Sequence, residues 1–117
     1  MNFEDEPIID LIKKNNIKEV KSIIDKGYDA SINESYALCP ACLYGRFDIL
    51  LLLLKNNNVD PSSNVNYCIR TAYKYEYFDI VNLLWKDNRV KDSLKNDNKK
   101  LYDILFFSEM KNKIFNL

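Results

Sequence analysis

The chain has 117 residues, enough for one modest domain or a short repeat array, and its 47% apolar and 29% charged composition supports a packed domain over a disordered one. Lys plus Arg and Asp plus Glu both number 17, so the charge is balanced and the basic footprint of a nucleic-acid binder is absent; no nucleic-acid partner is expected. The chain contains no histidine, which removes the commonest general base and metal ligand.

Two glycines and three prolines are too few for a turn-rich all-β fold. The apolar run at residues 49–54 is far too short to span a bilayer, and the acidic start MNFEDEPIID lacks the apolar core of a secretory signal. No membrane contact is therefore expected. Three cysteines, an odd number without a signal, fit a reducing compartment, so a cytoplasmic location is expected. The Asn33-Glu34-Ser35 sequon then reads as accidental.

Residues 7–14, PIIDLIKK, open on Pro7 behind acidic residues, both suited to a helix start. Ile8, Leu11 and Ile12 keep helical spacing. Asn15 and Asn16 break the pattern, and Ile17, Val20, Ile23 and Ile24 mark a second helix. Gly27 is placed to close that helix in a left-handed conformation.

The next unit repeats the scheme. Residues 37–44 predict a short first helix in which small Ala41 permits close approach, and Gly45-Arg46 turn the chain. Residues 47–55 predict a second helix, apolar all round from Leu50 to Leu54, as expected between neighbouring units. Pro40 belongs in the first turn of its helix, because deeper in it would cost about 3 kcal/mol. Residues 56–63 read as a polar loop.

At a constant offset of 31 residues the chain then says much of this again: Tyr36 falls on Tyr67, Ala41 on Ala72, Phe47-Asp48-Ile49 on Phe78-Asp79-Ile80, and Val59 on Val90. Residues 67–75 and 78–86 take the two helical roles, with Glu76 in place of the turn glycine. After Val90 the pattern predicts loop residues and a charged polar run to Lys100. Residues 101–117 predict one or two closing helices carrying Leu101, Ile104, Leu105, Phe106 and Phe107. A fixed period in the low thirties points to a stacked-repeat architecture.

Short and long helices in pairs, the period, and Gly45-Arg46-Phe47-Asp48-Ile49-Leu50 beside the pattern G-H-L-E-I-V resemble the ankyrin-repeat family. Lys26-Gly27-Tyr28-Asp29-Ala30 is similar to its K-x-G-A-D turn. The T-P-L-H signature of the first helix survives poorly, as Glu6-Pro7-Ile8-Ile9, Tyr36-Ala37-Leu38-Cys39 and Tyr67-Cys68-Ile69-Arg70, so different caps are expected. The VDPSS loop followed by N-Y-x-I-R-x-A is similar to the divergent ankyrin repeats of large DNA viruses of amoebae.

Covering residues 6–97, the resemblance implies an all-α fold: a short ankyrin-type helical repeat solenoid of about three helix pairs plus a C-terminal capping helix or helix pair. It implies one domain, 1–117, with units at 6–33, 34–64 and 65–97 and a cap at 98–117. It further implies a non-catalytic protein–protein interaction module, an adaptor, decoy or inhibitor, with no cofactor. A viral source would make the partner a host protein and the site of action the host cytoplasm. A self-associating subunit, as a homodimer, is the alternative.

In that architecture Lys13, Lys14, Leu43, Tyr44, Lys74 and Tyr75, with Phe106 and Phe107, precede inter-helix turns and face the concave groove. Asn33, Ser35, Asn64 and Asn66 correspond to loop tips offering polar contacts. Tyrosine is common here, eight residues, so core-edge cover is the competing reading. Arg70 and Lys74 read as a basic spot or as a solvated face. Cys39-Pro40-Ala41-Cys42 reads as structural, as a redox pair needing a depressed thiol pKa, or as a zinc half-site for which only Cys68 remains. No phosphate loop, carboxylate pair or nucleophile–histidine arrangement is present, so no catalysis is expected.

Overall fold

A computed structural model of the chain describes residues 7–115, with side chains through 113. Among the described residues every regular element is helical. They are α1 (Pro7–Lys13), α2 (Ile17–Asp25), α3 (Ile32–Ser35), α4 (Leu38–Leu43), α5 (Phe47–Leu54), α6 (Ser63–Lys74), α7 (Phe78–Trp85), α8 (Asn88–Asp97) and α9 (Lys99–Phe115). The acidic residues expected to precede the first helix, and the last two of the expected closing stretch, lie outside the described residues.

Three helical hairpins, α1/α2, α4/α5 and α6/α7, stand side by side. α1 packs on α4 and α4 on α6, while α2 packs on α5. α8 rests on both α6 and α7, and α9 lies on α8. The body measures 45 × 28 × 25 Å. One core runs through it: Ile12 and Val20 from the first hairpin, Leu38, Ile49, Leu50 and Leu53 from the second, Ile69, Ile80 and Leu84 from the third, then Val90 and Leu94. Ala41 and Ala72, equivalent at 31 residues, are both fully buried, which lets the first helices approach closely.

The turn inside each hairpin is built the same way despite different residues. Asn15, Gly45 and Glu76 all take left-handed backbone, at φ 58°, 70° and 63°. The amide that follows each donates back over the helix end, Asn16 to the Leu11 carbonyl (2.9 Å), Arg46 to Ala41 (2.8 Å) and Tyr77 to Ala72 (2.8 Å). This is the closure that satisfies orphan carbonyls at a helix C-terminus. Glu76 thus holds the turn without glycine. Gly45 is required twice over, because a Cβ there would sit 2.8 Å from Cε1 of Tyr77.

The structure departs from the sequence reading in three places. The stretch expected as a loop after Val90 is α8, started by Asp87, whose carboxylate accepts from the Arg89 amide at 2.8 Å. Val90 does occupy the buried position of Val59, but on a helix rather than in a loop. α5 is not apolar-buried all round, since Leu51 faces solvent. α9 runs unbroken from Lys99 through Phe106-Phe107 to Phe115, so no inter-helix turn follows those rings and they are not equivalent to the residues before the hairpin turns.

The turn geometry gives a paired prediction. Gly45→Ala should destabilise the protein by about 2 kcal/mol or more, through left-handed strain plus displacement of the Tyr77 ring. Glu76→Gly should be neutral to stabilising by up to about 1 kcal/mol, since it relieves the strain while lengthening the unfolded-state ensemble. Urea unfolding of the two variants beside wild type reads both signs.

Candidate functional site

The hairpins are joined by a second repeated device. Asp29 Oδ1 accepts from the Ser31 amide (3.0 Å) and hydroxyl (2.7 Å), and Asp60 Oδ1 does the same with Ser62 (2.9 and 2.7 Å). The hydroxyl bond from Ser31 is the main reason that the Asp29 carboxyl is held below its ordinary range. Three left-handed residues follow each of these turns, Asn33-Glu34-Ser35 and Asn64-Val65-Asn66, with φ between 52° and 59°. The last residue of each triplet is buried.

Ser35 and Asn66 were expected at loop tips offering contacts to a partner, and the structure corrects both. The Ser35 hydroxyl accepts from the Asp60 amide, in the turn that leads from α5 to α6, at 2.9 Å. Asn66 Nδ2 donates to Ser93 Oγ (2.7 Å) and Asp97 Oδ2 (2.8 Å) of α8. Both residues are enclosed by these bonds and cannot touch a partner. Asn33 is half-buried and Asn64 is exposed.

The expected groove residues are brought together only in part. Lys13, Leu43 and Tyr44 line one shallow depression of about 160 Å³ with Tyr36, Cys39 and Tyr67. Arg46, in the turn after α4, donates from Nη2 to the Lys13 carbonyl and so closes the end of α1. Lys74 lines a separate cleft of about 230 Å³ with Arg70 and Tyr73, facing Lys100 and Ile104 of α9. Lys14 is exposed and paired with Asp10 at 2.9 Å.

Tyr44 is 40% exposed and Tyr75 49% exposed, one at the end of α4 and the other at the end of α6. The Tyr75 ring tilts against Tyr77 at 6.2 Å, and the Lys74 ammonium sits 5.5 Å from the Tyr75 ring centre. Both rings thus present an apolar body and a polar tip to solvent from neighbouring helices.

At the far end, Trp85 ties α7 to α8 and α9. Its indole meets Tyr102 edge-on at 5.6 Å and donates to Glu109 Oε2 at 3.0 Å. Lys91 lies 5.1 Å over the same ring and bonds Glu109 at 3.1 Å. Phe106 stacks on Tyr102 at 5.8 Å, while Phe107 is 70% exposed.

The cysteines sit where α4 packs on α6, Cys39 half-buried and Cys42 and Cys68 buried. Burial, then the neighbouring Cys68, pushes the Cys39 thiol up to about 12. A hydrogen bond with Cys42, then burial, raises Cys68 well above its ordinary value. A redox pair needs the opposite shift. Among the described residues no group of three or more His, Cys, Asp or Glu side chains could hold a metal ion, and no helix is long and apolar enough to cross a membrane. Comparison with family models, curated proteins and solved structures returns no match.

The motif D-x-S-x-N-x-[S/N]-Y, at residues 29–36 and again at 60–67, could have announced the left-handed triplets from sequence. Asn and Ser tolerate or cap such turns, and Asp starts them through its side chain.

The thiols give a second prediction. A disulfide-exchange reagent near neutral pH should find no fast-reacting thiol in the native protein, and all three should appear on unfolding; a rapid Cys39 would refute the assignment. Because the folded Cys39 stays protonated while the unfolded thiol ionises, its contribution is intact below the ordinary value of 9.0 and is lost as pH rises toward about 12. Alkaline destabilisation over that window should shrink in Cys39→Ala, measured by denaturant midpoints.

Proposed function

We propose that the chain is a short ankyrin-like solenoid whose first-helix face binds a protein partner without catalysis, in the cytoplasm, and in the host cytoplasm if the source is viral. Lys13, Leu43, Tyr44, Lys74 and Tyr75 contribute to that face, with Asn64 at its edge. The observation that carries the reading is the pair of half-exposed tyrosines, Tyr44 and Tyr75, 31 residues apart on adjoining first helices. Tyrosines that lose little side-chain entropy and offer both apolar area and a hydroxyl are favoured anchors of interfaces. The even spacing of the helix pairs supports a rigid scaffold over a moving machine.

A second reading, self-association, is favoured by one specific feature. Ile104, Phe106, Phe107 and Met110 are all exposed along α9, and an accumulation of exposed large apolar side chains on one element is suited to an interaction surface.

Affinity capture followed by mass spectrometry tests the first reading, using wild type, Tyr44→Ala/Tyr75→Ala, and Leu51→Ala on the opposite helix layer as control. A protein retained by wild type and the control but lost by the double variant, with unchanged circular dichroism, is the expected result. Retention by all three would remove the groove assignment. Light scattering that shows a dimer dissociated by Phe107→Ser would favour self-association.

A further inference from the structure

We infer that the cleft between α6 and α9 takes an acidic peptide segment, an apolar side chain flanked by carboxylates. The inference deepens the partner-binding reading by naming the chemistry of the partner, and it rests on that reading.

Arg70 and Lys74 come from α6 and Lys100 from α9, and the wall between them carries Tyr73, Leu101 and Ile104. The lining contains three cations and no carboxylate. Among the described residues none of the ion pairs engages Arg70, Lys74 or Lys100; the nearby carboxylate Asp103 is taken by Lys99 at 3.1 Å. At about 230 Å³ the cleft is smaller than a typical cofactor site and suits a single side chain.

Arg70 is positioned before any ligand arrives. Its Nε donates to the Val65 carbonyl at 2.8 Å, and Nη2 approaches the Asn64 carbonyl at 3.5 Å. Those two carbonyls belong to the left-handed triplet that opens α6, where exposed Val65 is held at φ 56°. The triplet therefore fixes one edge of the guanidinium, and the remaining N–H groups stay available to a carboxylate. Such preorganisation lowers the entropy lost on binding. Balanced net charge and a single ring in the cleft favour a peptide over a nucleic-acid strand, which would use a charged track with successive stacking platforms.

The test uses a fluorescein-labelled Glu-Glu-Leu-Glu-Glu peptide, the same peptide with Gln for Glu, and a labelled oligothymidine, followed by polarisation on the full chain. The Glu peptide should bind roughly tenfold or more tightly than the Gln peptide, with the difference collapsing between about 50 mM and about 500 mM salt. Lys74→Gln/Lys100→Gln, which spares the structural bonds of Arg70, should weaken the Glu peptide roughly fivefold or more, and Arg70→Gln should weaken it further. Lys18→Gln/Lys21→Gln, with the same change in net charge on the other helix layer, should leave it unchanged. Equal binding of the Glu and Gln peptides, equal loss in both lysine pairs, or oligothymidine binding as tightly as the Glu peptide would each overturn the inference. If the captured partner is lost by Tyr44→Ala/Tyr75→Ala but survives Lys74→Gln/Lys100→Gln, the groove reading stands and the cleft inference alone fails.

Discussion

The buried polar side chain that ends each left-handed triplet is the constraint on which the stacking of units depends. Ser35 ends α3, just ahead of α4, and Asn66 lies in the first turn of α6; Ser35 bonds the turn that enters the next hairpin, and Asn66 bonds α8 beyond its own hairpin. The first two hairpins are also tied by Asn56 donating to Asp29 at 2.9 Å, and α8 is tied to the α5–α6 loop by Arg89 donating to the Val59 carbonyl at 3.1 Å. Repeat arrays derive their stability from such nearest-neighbour interfaces added to the intrinsic stability of each unit. Here the interfaces combine close apolar packing through Ala41 and Ala72 with a small number of directional bonds that set the register.

The triplets are costly to form. Each left-handed non-glycine residue costs on the order of 1 kcal/mol. Offsetting this are the Asp–Ser side-chain bonds, the amides of Ser35 and Asn66 donating to the carbonyls of Ser31 and Ser62, and the bond from the Asp60 amide to the Ser35 hydroxyl. A net intramolecular hydrogen bond contributes about 1 kcal/mol, and a buried group left unpaired costs about 1–3 kcal/mol. The strain therefore persists because the surrounding bonds over-determine it. At the second triplet the Val65 and Asn64 carbonyls also accept from the Arg70 guanidinium, so the same backbone turn positions a side chain that lines the cleft beside α9.

The helical hairpins were legible in the sequence because apolar spacing, Gly27, Gly45 and the 31-residue offset all pointed the same way. The turn at Glu76 was less legible, since the backbone there is dictated by the closure over α6 and not by the residue that occupies it. α8 was hidden by the repeat itself: aligning Val90 with Val59 predicted a loop, while Asp87 and the Val90–Leu94 spacing specify a helix. Of the candidate site, exposure of Tyr44 and Tyr75 followed from their place at helix ends. The burial of Ser35 and Asn66 did not, because small polar residues look alike in sequence whether they bond solvent, a partner or a distant turn or helix of the same chain.

Hydrogen exchange at the Asp60 amide tests the coupling of successive hairpins most directly, since among the described residues this N–H, in the turn that enters the third hairpin, bonds the Ser35 hydroxyl in the turn that enters the second. The account predicts that in wild type it is protected to the same degree as the Leu50 amide within α5, and that Ser35→Ala removes that protection while lowering global stability by about 1–3 kcal/mol. An Asp60 amide that exchanges at the rate of a free peptide in the wild-type protein would contradict it.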